Sequence, residues 1–191
     1  MHKSTLISGL ALASTLLLAA LPAQAQPQLV PAQSSVEFTA RQMGVPLQGH
    51  FKKFDAQVAF DPAQLATSRI RFTVDTGSAT MGARETDAEL PKAPWFNVPQ
   101  FPQATFESTA IKALGGGKFD VAGKLTIKGA AVNVSVPVAL VQSGATTTAT
   151  GSLPIKRLAF KIGDGEWADT SMVADEVQVK FKLTLTGVGK L

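Results

Sequence analysis

Alternation of apolar and polar residues with a period of two is the feature that most constrains how this chain folds. It is clearest in EVQVKFKLTLTG (176–187), where every second residue from Val177 to Leu185 is Val, Phe or Leu and the residues between them are charged or polar. The same alternation runs through RIRFTVD (69–75) and AVNVSVPVAL (131–140). It is typical of strands that bury one face and expose the other, as in antiparallel sheets.

The number and spacing of these alternating segments predict the architecture. We expect about eight strands, at roughly residues 35–41, 50–60, 68–75, 104–113, 118–128, 131–141, 145–154 and 176–187. Glycines at 115–117 and at 129 predict tight turns between neighbouring strands. Because helices do not alternate with the strands, the chain is predicted to be all-β in one domain, either a closed barrel or a two-sheet sandwich.

Pro137 departs from the pattern of the 131–141 strand. Its position places the side chain on the outer face, but proline has no amide hydrogen to donate to a neighbouring strand. We therefore predict that strand pairing is open or bulged at this residue.

Two segments do not have the pattern of strands. The first begins with MGARETDAEL (81–90), which has helical propensity and is ended by Pro91. It continues as PKAPWFNVPQFPQATF (91–106), whose prolines disfavour a regular strand and whose four aromatic rings are unlike a solvated loop. The second, 156–175, is a long connection with large apolar residues, and such loops are usually packed or functional.

The start of the chain has the features of a secretory signal peptide over 1–25. Lys3 supplies a positive charge, residues 6–21 form an apolar run, and a small-x-small cleavage sequence, AQA, follows. The run is short for a membrane-spanning helix. We predict cleavage before Gln26, export to the bacterial periplasm and a mature domain of residues 26–191.

Composition excludes several kinds of chemistry. The chain has no cysteine, and therefore neither disulfides nor thiolate catalysis. Once His2 leaves with the signal peptide, His50 is the only histidine, which excludes a metal site with two imidazoles from one chain. Without Lys3 the 18 basic side chains become 17, scattered among 14 acidic ones, and they do not predict nucleic-acid binding.

Asp75 is the strongest enzymatic signal, because FTVDTGSA (72–79) resembles the segment that presents a catalytic aspartate in aspartic proteases. That chemistry needs two aspartates, and with no second Asp-Thr-Gly or Asp-Ser-Gly only a homodimer could supply them. We favour a turn formed by Asp75 and Gly77 at the end of a strand. The acidic segment 164–176 does not have the spacing of an EF-hand calcium loop.

Four segments carry a resemblance to a known family: SSVEFTARQMGVPLQGHFKKFDAQVAFDP, VDTGSATMGARETDAEL, WFNVPQFPQATFES and GEWADTSMVADEVQVKFKLTLTG. Across essentially the whole predicted mature domain the chain resembles the YceI-like family, exported bacterial proteins that bind polyisoprenoids and related amphiphilic lipids. The resemblance implies a single eight-stranded, antiparallel, lipocalin-like barrel. It also implies a short helix and an aromatic, proline-rich flap between the third and fourth strands.

The resemblance further implies a binding protein rather than an enzyme. The expected function is an exported carrier or sequestering protein for a long-chain isoprenoid, such as a polyprenyl quinone or its precursor. The flap would then contribute a wall or rim of an apolar cavity. The predicted cavity residues are Phe38, Phe60, Phe72, Trp95, Phe96, Phe101, Phe106, Val134, Val136, Trp167, Val179 and Phe181.

Other functional readings stay open beside this one. The first is a filled barrel that acts as a protein–protein module, and the second is a homodimeric aspartic protease that uses Asp75. The expected partner is an amphiphilic lipid, such as a bound polyisoprenoid or quinone. No cofactor or metal is expected to be required, and no nucleic-acid partner is expected. A transient membrane contact and a homodimer also stay open.

Overall fold

The computed structural model describes residues 26–191, so the predicted signal peptide lies outside the described residues. Within this range the chain forms eleven β-strands and one short α-helix. They are β1 (Gln28–Leu29), β2 (Ser35–Gln42), β3 (Val45–Phe51), β4 (Phe54–Ala59), β5 (Arg69–Asp75), β6 (Ala79–Thr80), α1 (Arg84–Glu89), β7 (Gln103–Gly115), β8 (Lys118–Ile127), β9 (Ala130–Ser143), β10 (Thr146–Lys156) and β11 (Glu176–Thr186). None of the helices described is long and apolar enough to cross a membrane.

The strands form one closed antiparallel barrel. Neighbours follow the order β4, β5, β7, β8, β9, β10 and β11, and β1 closes the ring by pairing with both β11 and β4. β2 continues β1 along the edge of β11, and β3 and β4 form one bent strand interrupted at Lys52 and Lys53. Counted in this way the barrel has eight strands, which confirms the predicted fold, including the short helix.

The hairpin between β2 and β3 is the largest local difference from the predicted strands, since β3 begins at Val45 and a strand was expected only from residue 50. Its two-residue turn is formed by Met43 and Gly44, which both have positive φ, 49° and 81°. Such turns are usually formed by Asn-Gly, Asp-Gly or Gly-Gly. The turn residues that normally mark a hairpin were therefore missing from the sequence.

The pairing of β9 with β10 ends where proline interrupts it. The ladder runs from Ser143↔Thr146 to Val138↔Gly151 and stops before Pro137, whereas β9 remains paired with β8 beyond that point. This confirms the predicted open pairing. Beyond the point opposite Pro137, β10 loses β9 as a partner but stays paired with β11 as far as Lys156. The segment that follows β10 packs into the core through Phe160, which is 2% exposed.

Glycines lie beneath inward-facing phenylalanine rings at three places in the barrel wall: Gly49 under Phe38, Gly123 under Phe106 and Gly151 under Phe181. The absence of a side chain lets each ring lie against the backbone of the neighbouring strand. Aromatic residues commonly cover strand glycines in this way. The rings thus contribute to the wall instead of filling the centre of the barrel.

Substituting one of these glycines should destabilise the barrel. A Cβ on Gly123 would lie 2.5 Å from the Glu107 carbonyl oxygen, so the backbone and the Phe106 ring would both have to move. We expect Gly123→Ala to lower the free energy of unfolding by about 1–3 kcal/mol in urea denaturation. The matched control is Gly189→Ala, whose Cβ would meet only Pro62 Cδ at 3.6 Å. Equal stability of the two variants would contradict this account.

Candidate functional site

An apolar cavity of about 610 Å³ occupies the interior of the barrel. Its walls are the inward-facing residues that the period-two alternation places on one face of each strand, together with side chains from α1, the flap and the 157–175 loop. Ten of the twelve predicted cavity residues line it: Phe38, Phe60, Phe72, Trp95, Phe96, Phe106, Val136, Trp167, Val179 and Phe181.

The other two predicted residues, Phe101 and Val134, do not line the cavity. The Phe101 ring packs on the turn between β8 and β9, where its Cε1 would lie 2.9 Å from a Cβ on Gly129. Val134 pairs with Gly123, which is covered by the Phe106 ring, so that ring occupies the space in front of this pair. Both placements depend on contacts between separate segments, which alternation within one strand does not predict.

Further lining residues were absent from the predicted set although they follow the same alternation. They lie on the inward faces of the barrel strands, and they include Val36, Val58, Val74, Phe119, Val121, Val138, Leu140, Leu183 and Leu185. The period-two pattern alone could have identified them. Ile111 also lines the cavity, but it lies beyond a bulge in β7 that shifts the alternation relative to Phe106. The polar lining residues described below had no comparable signal in the sequence.

The carboxyl-terminal tail covers one end of the barrel. The Gln142 side chain donates from Nε2 to the carbonyl oxygens of Val188 at 3.3 Å and Gly189 at 3.2 Å. Its Oε1 accepts a hydrogen bond from the Leu191 amide at 3.3 Å. Beside these residues Thr147, which lines the cavity, is 0% exposed. This end of the cavity is therefore shielded from solvent.

The opposite end carries the polar, solvent-exposed lining residues. Arg41 and Gln42 come from the end of β2, and Glu85, Thr86 and Glu89 come from α1. All except the half-buried Gln42 are exposed. The cavity thus opens between β2 and α1, with polar groups at the opening and apolar groups deeper inside. This arrangement fits an amphiphile whose polar head stays near water.

Asp87 holds α1 beside the opening. Its carboxylate accepts hydrogen bonds from the Thr80 hydroxyl at 2.5 Å and the Met81 amide at 2.6 Å. These bonds, the Met81 bond first and then the Thr80 bond, hold the pKa of Asp87 below its ordinary value. Because this pKa is lowered in the folded protein, the attachment of α1 is fully present above the ordinary carboxyl pKa. It is lost as the pH falls through the lowered value.

The proline-rich flap, residues 91–102, is a series of tight turns that forms part of the cavity wall. Its amides bond within the segment, for example Trp95 to the Lys92 carbonyl and Phe101 to the Asn97 carbonyl, both within 3.0 Å. Internal bonding of this kind satisfies the backbone where prolines prevent a ladder. The Phe96 ring meets the Phe51 ring edge-on at a centroid distance of 5.9 Å. The flap therefore presents aromatic side chains to the cavity on a well-bonded backbone.

Arg157 organises the loop between β10 and β11, residues 157–175. It is 2% exposed, and all five of its N–H groups donate to backbone carbonyls of this loop. Nε donates to Ala174, Nη1 to Ile162 and Gly163, and Nη2 to Trp167 and Val173, at 2.6–3.1 Å. Burial lowers the pKa of the guanidinium from its ordinary value, and nearby Asp175 opposes this. An arginine nevertheless stays charged at neutral pH.

Lys128 joins the flap to this loop. Its ammonium donates to the carbonyls of Pro94 at 3.1 Å and Lys161 at 2.5 Å, and Asp164 Oδ1 lies 3.6 Å away. The Pro94 carbonyl also accepts the Gly163 amide at 2.7 Å. Nearby, the rings of the two tryptophans, one in each segment, lie 5.4 Å apart. The two irregular segments thus form one bonded unit at this end of the barrel.

Removal of this ammonium should loosen the unit. In Lys128→Met the apolar stem keeps its packing, but the Lys161 carbonyl loses the donor of its part-buried hydrogen bond. We expect the free energy of unfolding to fall by about 1–3 kcal/mol in urea denaturation. The matched control is Lys92→Met, whose ion pair with Glu89 is exposed and worth about 1 kcal/mol or less. A loss no larger than that of the control would show that Lys128 does not hold the two segments together.

The acidic residues considered for catalysis or calcium binding have structural roles. Asp75 Oδ1 accepts the Gly77 amide at 2.9 Å at the start of a short 3-10 turn, which confirms the interpretation of Asp75 as a turn residue. Asp169 Oδ1 accepts both the amide and the hydroxyl of Ser171. Asp175 Oδ1 accepts the Leu158 amide at 3.0 Å. Within residues 26–191, His, Asp and Glu side chains form no cluster able to hold a metal ion.

The fold and its interior define a class. A closed eight-stranded antiparallel barrel around an apolar cavity is a lipocalin-like barrel. The YceI-like domain matches residues 28–185, so the chain belongs to the YceI-like family. This confirms the resemblance inferred from the sequence.

Three relatives illustrate the relationship. A UPF0312 protein of Vibrio parahaemolyticus is 30% identical over 145 residues, 75% of this chain and 77% of the relative. The crystal structure of Burkholderia cenocepacia BcnA is 51% identical, has a TM-score of 0.79 and matches over 82% of this chain and 98% of its own. A polyisoprenoid binding domain from Saccharophagus degradans implicated in plant cell wall breakdown has a TM-score of 0.70 over 84% of this chain and 98% of its own. At 15% identity, that last relative shows the shared fold alone.

Proposed function

We propose that the protein binds a long-chain isoprenoid or similar amphiphilic lipid inside the barrel and carries or sequesters it in the periplasm. The observation that carries the proposal is the cavity of about 610 Å³, apolar along most of its walls and with its solvent-exposed polar side chains at the open end. The family and the description of the Saccharophagus degradans relative as a polyisoprenoid binding domain support the same ligand class. The predicted signal peptide supports the location.

The size and lining of the cavity suit an isoprenoid chain. Its volume lies inside the range of roughly 300–1,000 Å³ found for small-molecule sites. It corresponds to about 20 water-sized groups at roughly 30 Å³ each, which is room for a substantial apolar chain. Burial of such a chain contributes about 0.8 kcal/mol for each methylene, so few polar contacts are needed.

The side chains around the cavity bind the ligand but do not transform it. The apolar walls hold the chain, and the Arg41, Gln42 and Thr86 side chains at the opening can form hydrogen bonds with an uncharged head such as a quinone or an alcohol. Asp75 is engaged in its turn, so the protease hypothesis receives no support from its geometry. The cavity volume argues equally against a filled barrel that acts only as a protein–protein module.

Intrinsic fluorescence offers a direct test, because the chain has two tryptophans and both line the cavity. Titration with geranylgeraniol, an isoprenoid alcohol, should give a saturable change in tryptophan emission with one ligand bound per protein. Ala149→Leu, which fills part of the cavity, should weaken binding, whereas Thr150→Leu on the outer face of the same strand should not. An unsaturable signal, or equal binding by the two variants, would contradict the proposal.

A further inference from the structure

Three large apolar side chains are exposed beside the opening of the cavity, and we call them the apolar rim. Met43 is 69% exposed, Val45 is 59% exposed and Met172 is 42% exposed. The hairpin between β2 and β3 is bonded to the 157–175 loop, because the Met43 amide donates to the Met172 carbonyl at 2.8 Å. The apolar rim is therefore formed by two segments that are bonded to each other.

The apolar rim adjoins the cavity directly. Gln42 lines the cavity opening and pairs with Val45 in the hairpin, and it also forms a bridge with Val173, another lining residue. None of the three rim side chains lines the cavity itself. A lipid that enters between β2 and α1 would pass beside these side chains before it reaches the apolar walls.

The backbone conformation of Met43 is a second observation that points to this surface, because packing within the folded chain does not explain it. Its φ of 49° lies in the left-handed region, at a turn position where asparagine, aspartate or glycine is favoured. The side chain is 69% exposed, so little of the cost of this conformation is recovered by packing. An apolar residue at this place therefore suggests a contact outside the folded chain.

We propose that the apolar rim docks on the surface of a lipid bilayer while the cavity is loaded or emptied. The inference rests on the proposed function, since a membrane is where an isoprenoid resides. Insertion of the rim side chains into the interface would let the lipid move from bilayer to cavity without crossing water. Exposed apolar patches beside ligand openings commonly mark such interaction sites.

The charges near the apolar rim indicate which kind of bilayer surface it is expected to bind. Asp164, Glu166 and Asp169 lie in the same loop as Met172, and no basic residue occurs between Lys161 and Lys180. Asp164, however, lies 3.6 Å from the Lys128 ammonium, and Glu89 pairs with Lys92. Arg41, Arg84 and Lys161 supply further positive charge at this end, beside Glu85 and Asp87 of α1. Charges of both signs around the rim nearly balance and provide no net attraction to an anionic surface. Docking is therefore expected on uncharged or zwitterionic lipid, through apolar contact, with little dependence on salt.

Vesicle flotation tests the inference with detergent-free protein and vesicles of phosphatidylcholine. The double variant Met43→Asn with Met172→Ser removes two rim side chains, and asparagine suits the left-handed turn, so the fold is preserved. We expect about ten-fold less vesicle-bound protein than for the wild type. Geranylgeraniol binding without vesicles, followed by tryptophan fluorescence, should be unchanged in this variant.

The matched control is a second double variant, Leu114→Ser with Val141→Ser. These side chains are also exposed, 62% and 67%, but they lie on strands near the opposite end, which the carboxyl-terminal tail covers. This variant should float with phosphatidylcholine vesicles like the wild type. Phosphatidylglycerol in the vesicles should not increase binding.

The outcomes separate the two proposals. If the protein binds geranylgeraniol but does not float with phosphatidylcholine, or floats equally well without the rim side chains, the docking inference is overturned and the proposed function stands. Binding only to phosphatidylglycerol vesicles at low salt also overturns it. If rim-dependent flotation occurs without any geranylgeraniol binding, the docking surface is supported and the proposed function fails.

Discussion

Arg157→Leu is expected to lower the free energy of unfolding by at least about 3 kcal/mol, the largest loss among the single substitutions considered for this chain. Leucine would leave five loop carbonyls without the N–H groups that now reach them, in a place where the arginine is 2% exposed. Each buried acceptor left unpaired costs about 1–3 kcal/mol, part of which water recovers as the loop opens. The measurement is urea denaturation followed by circular dichroism.

Two companion variants make this result specific. Arg157→Lys keeps the charge but offers only three donors, and it should fall between the wild type and the leucine variant. Arg69→Leu is the exposed control, because its guanidinium also donates to backbone carbonyls but faces solvent. If Arg157→Leu lowered the free energy of unfolding no more than Arg69→Leu does, the Arg157 guanidinium would not be the group that orders the 157–175 loop.

Trp95→Ala is expected to reduce both stability and ligand retention. The indole lines the cavity, packs against the core cluster around Phe160 and lies 5.4 Å from the ring of Trp167. Complete loss of a buried aromatic side chain costs about 3–5 kcal/mol, and Trp95 is only half buried, so the loss in the lipid-free protein should be about 2–3 kcal/mol. The bound ligand should then raise the melting temperature less than in the wild type.

Thermal melts with and without geranylgeraniol measure the two effects separately. A simple core role for Trp95 would lower the melting temperature equally in both conditions and leave the ligand-induced shift unchanged. Phe54→Ala is a suitable comparison, because its half-buried ring packs on Phe72 at 5.9 Å without lining the cavity. If Trp95→Ala and Phe54→Ala retained the same ligand-induced shift, the Trp95 side chain would have no role in binding.

The fold could be predicted from the period-two alternation within single strands, and the strands that this alternation missed were missed for physical reasons. Alternation in strands such as 176–186 depends only on which face is buried, and Pro137 marked the point where pairing stops. The start of β3 was missed because Met43 occupies a turn position that asparagine or glycine usually fills. The two-residue strands β1 and β6 are too short to show any alternation.

The candidate site was predicted less completely because its key contacts join distant segments. Inward faces of strands could be read from the sequence, and ten of the predicted side chains do line the cavity. The buried Lys128 and Arg157 resembled ordinary surface charges, since nothing local marks a lysine that reaches a flap 34 residues away. Phe101 was assigned to the cavity as part of the aromatic flap that the family resemblance implied, whereas tertiary packing places it on Gly129.

The most direct test of the central claim is to identify what the barrel holds when the full chain, with its predicted signal peptide, is expressed in bacteria and the protein is purified without detergent. Native mass spectrometry and an organic extract of the same sample should show one apolar isoprenoid lipid per protein, and Ala149→Leu should hold less of it. An extract without stoichiometric lipid, from protein that also fails to take up geranylgeraniol, would contradict the account.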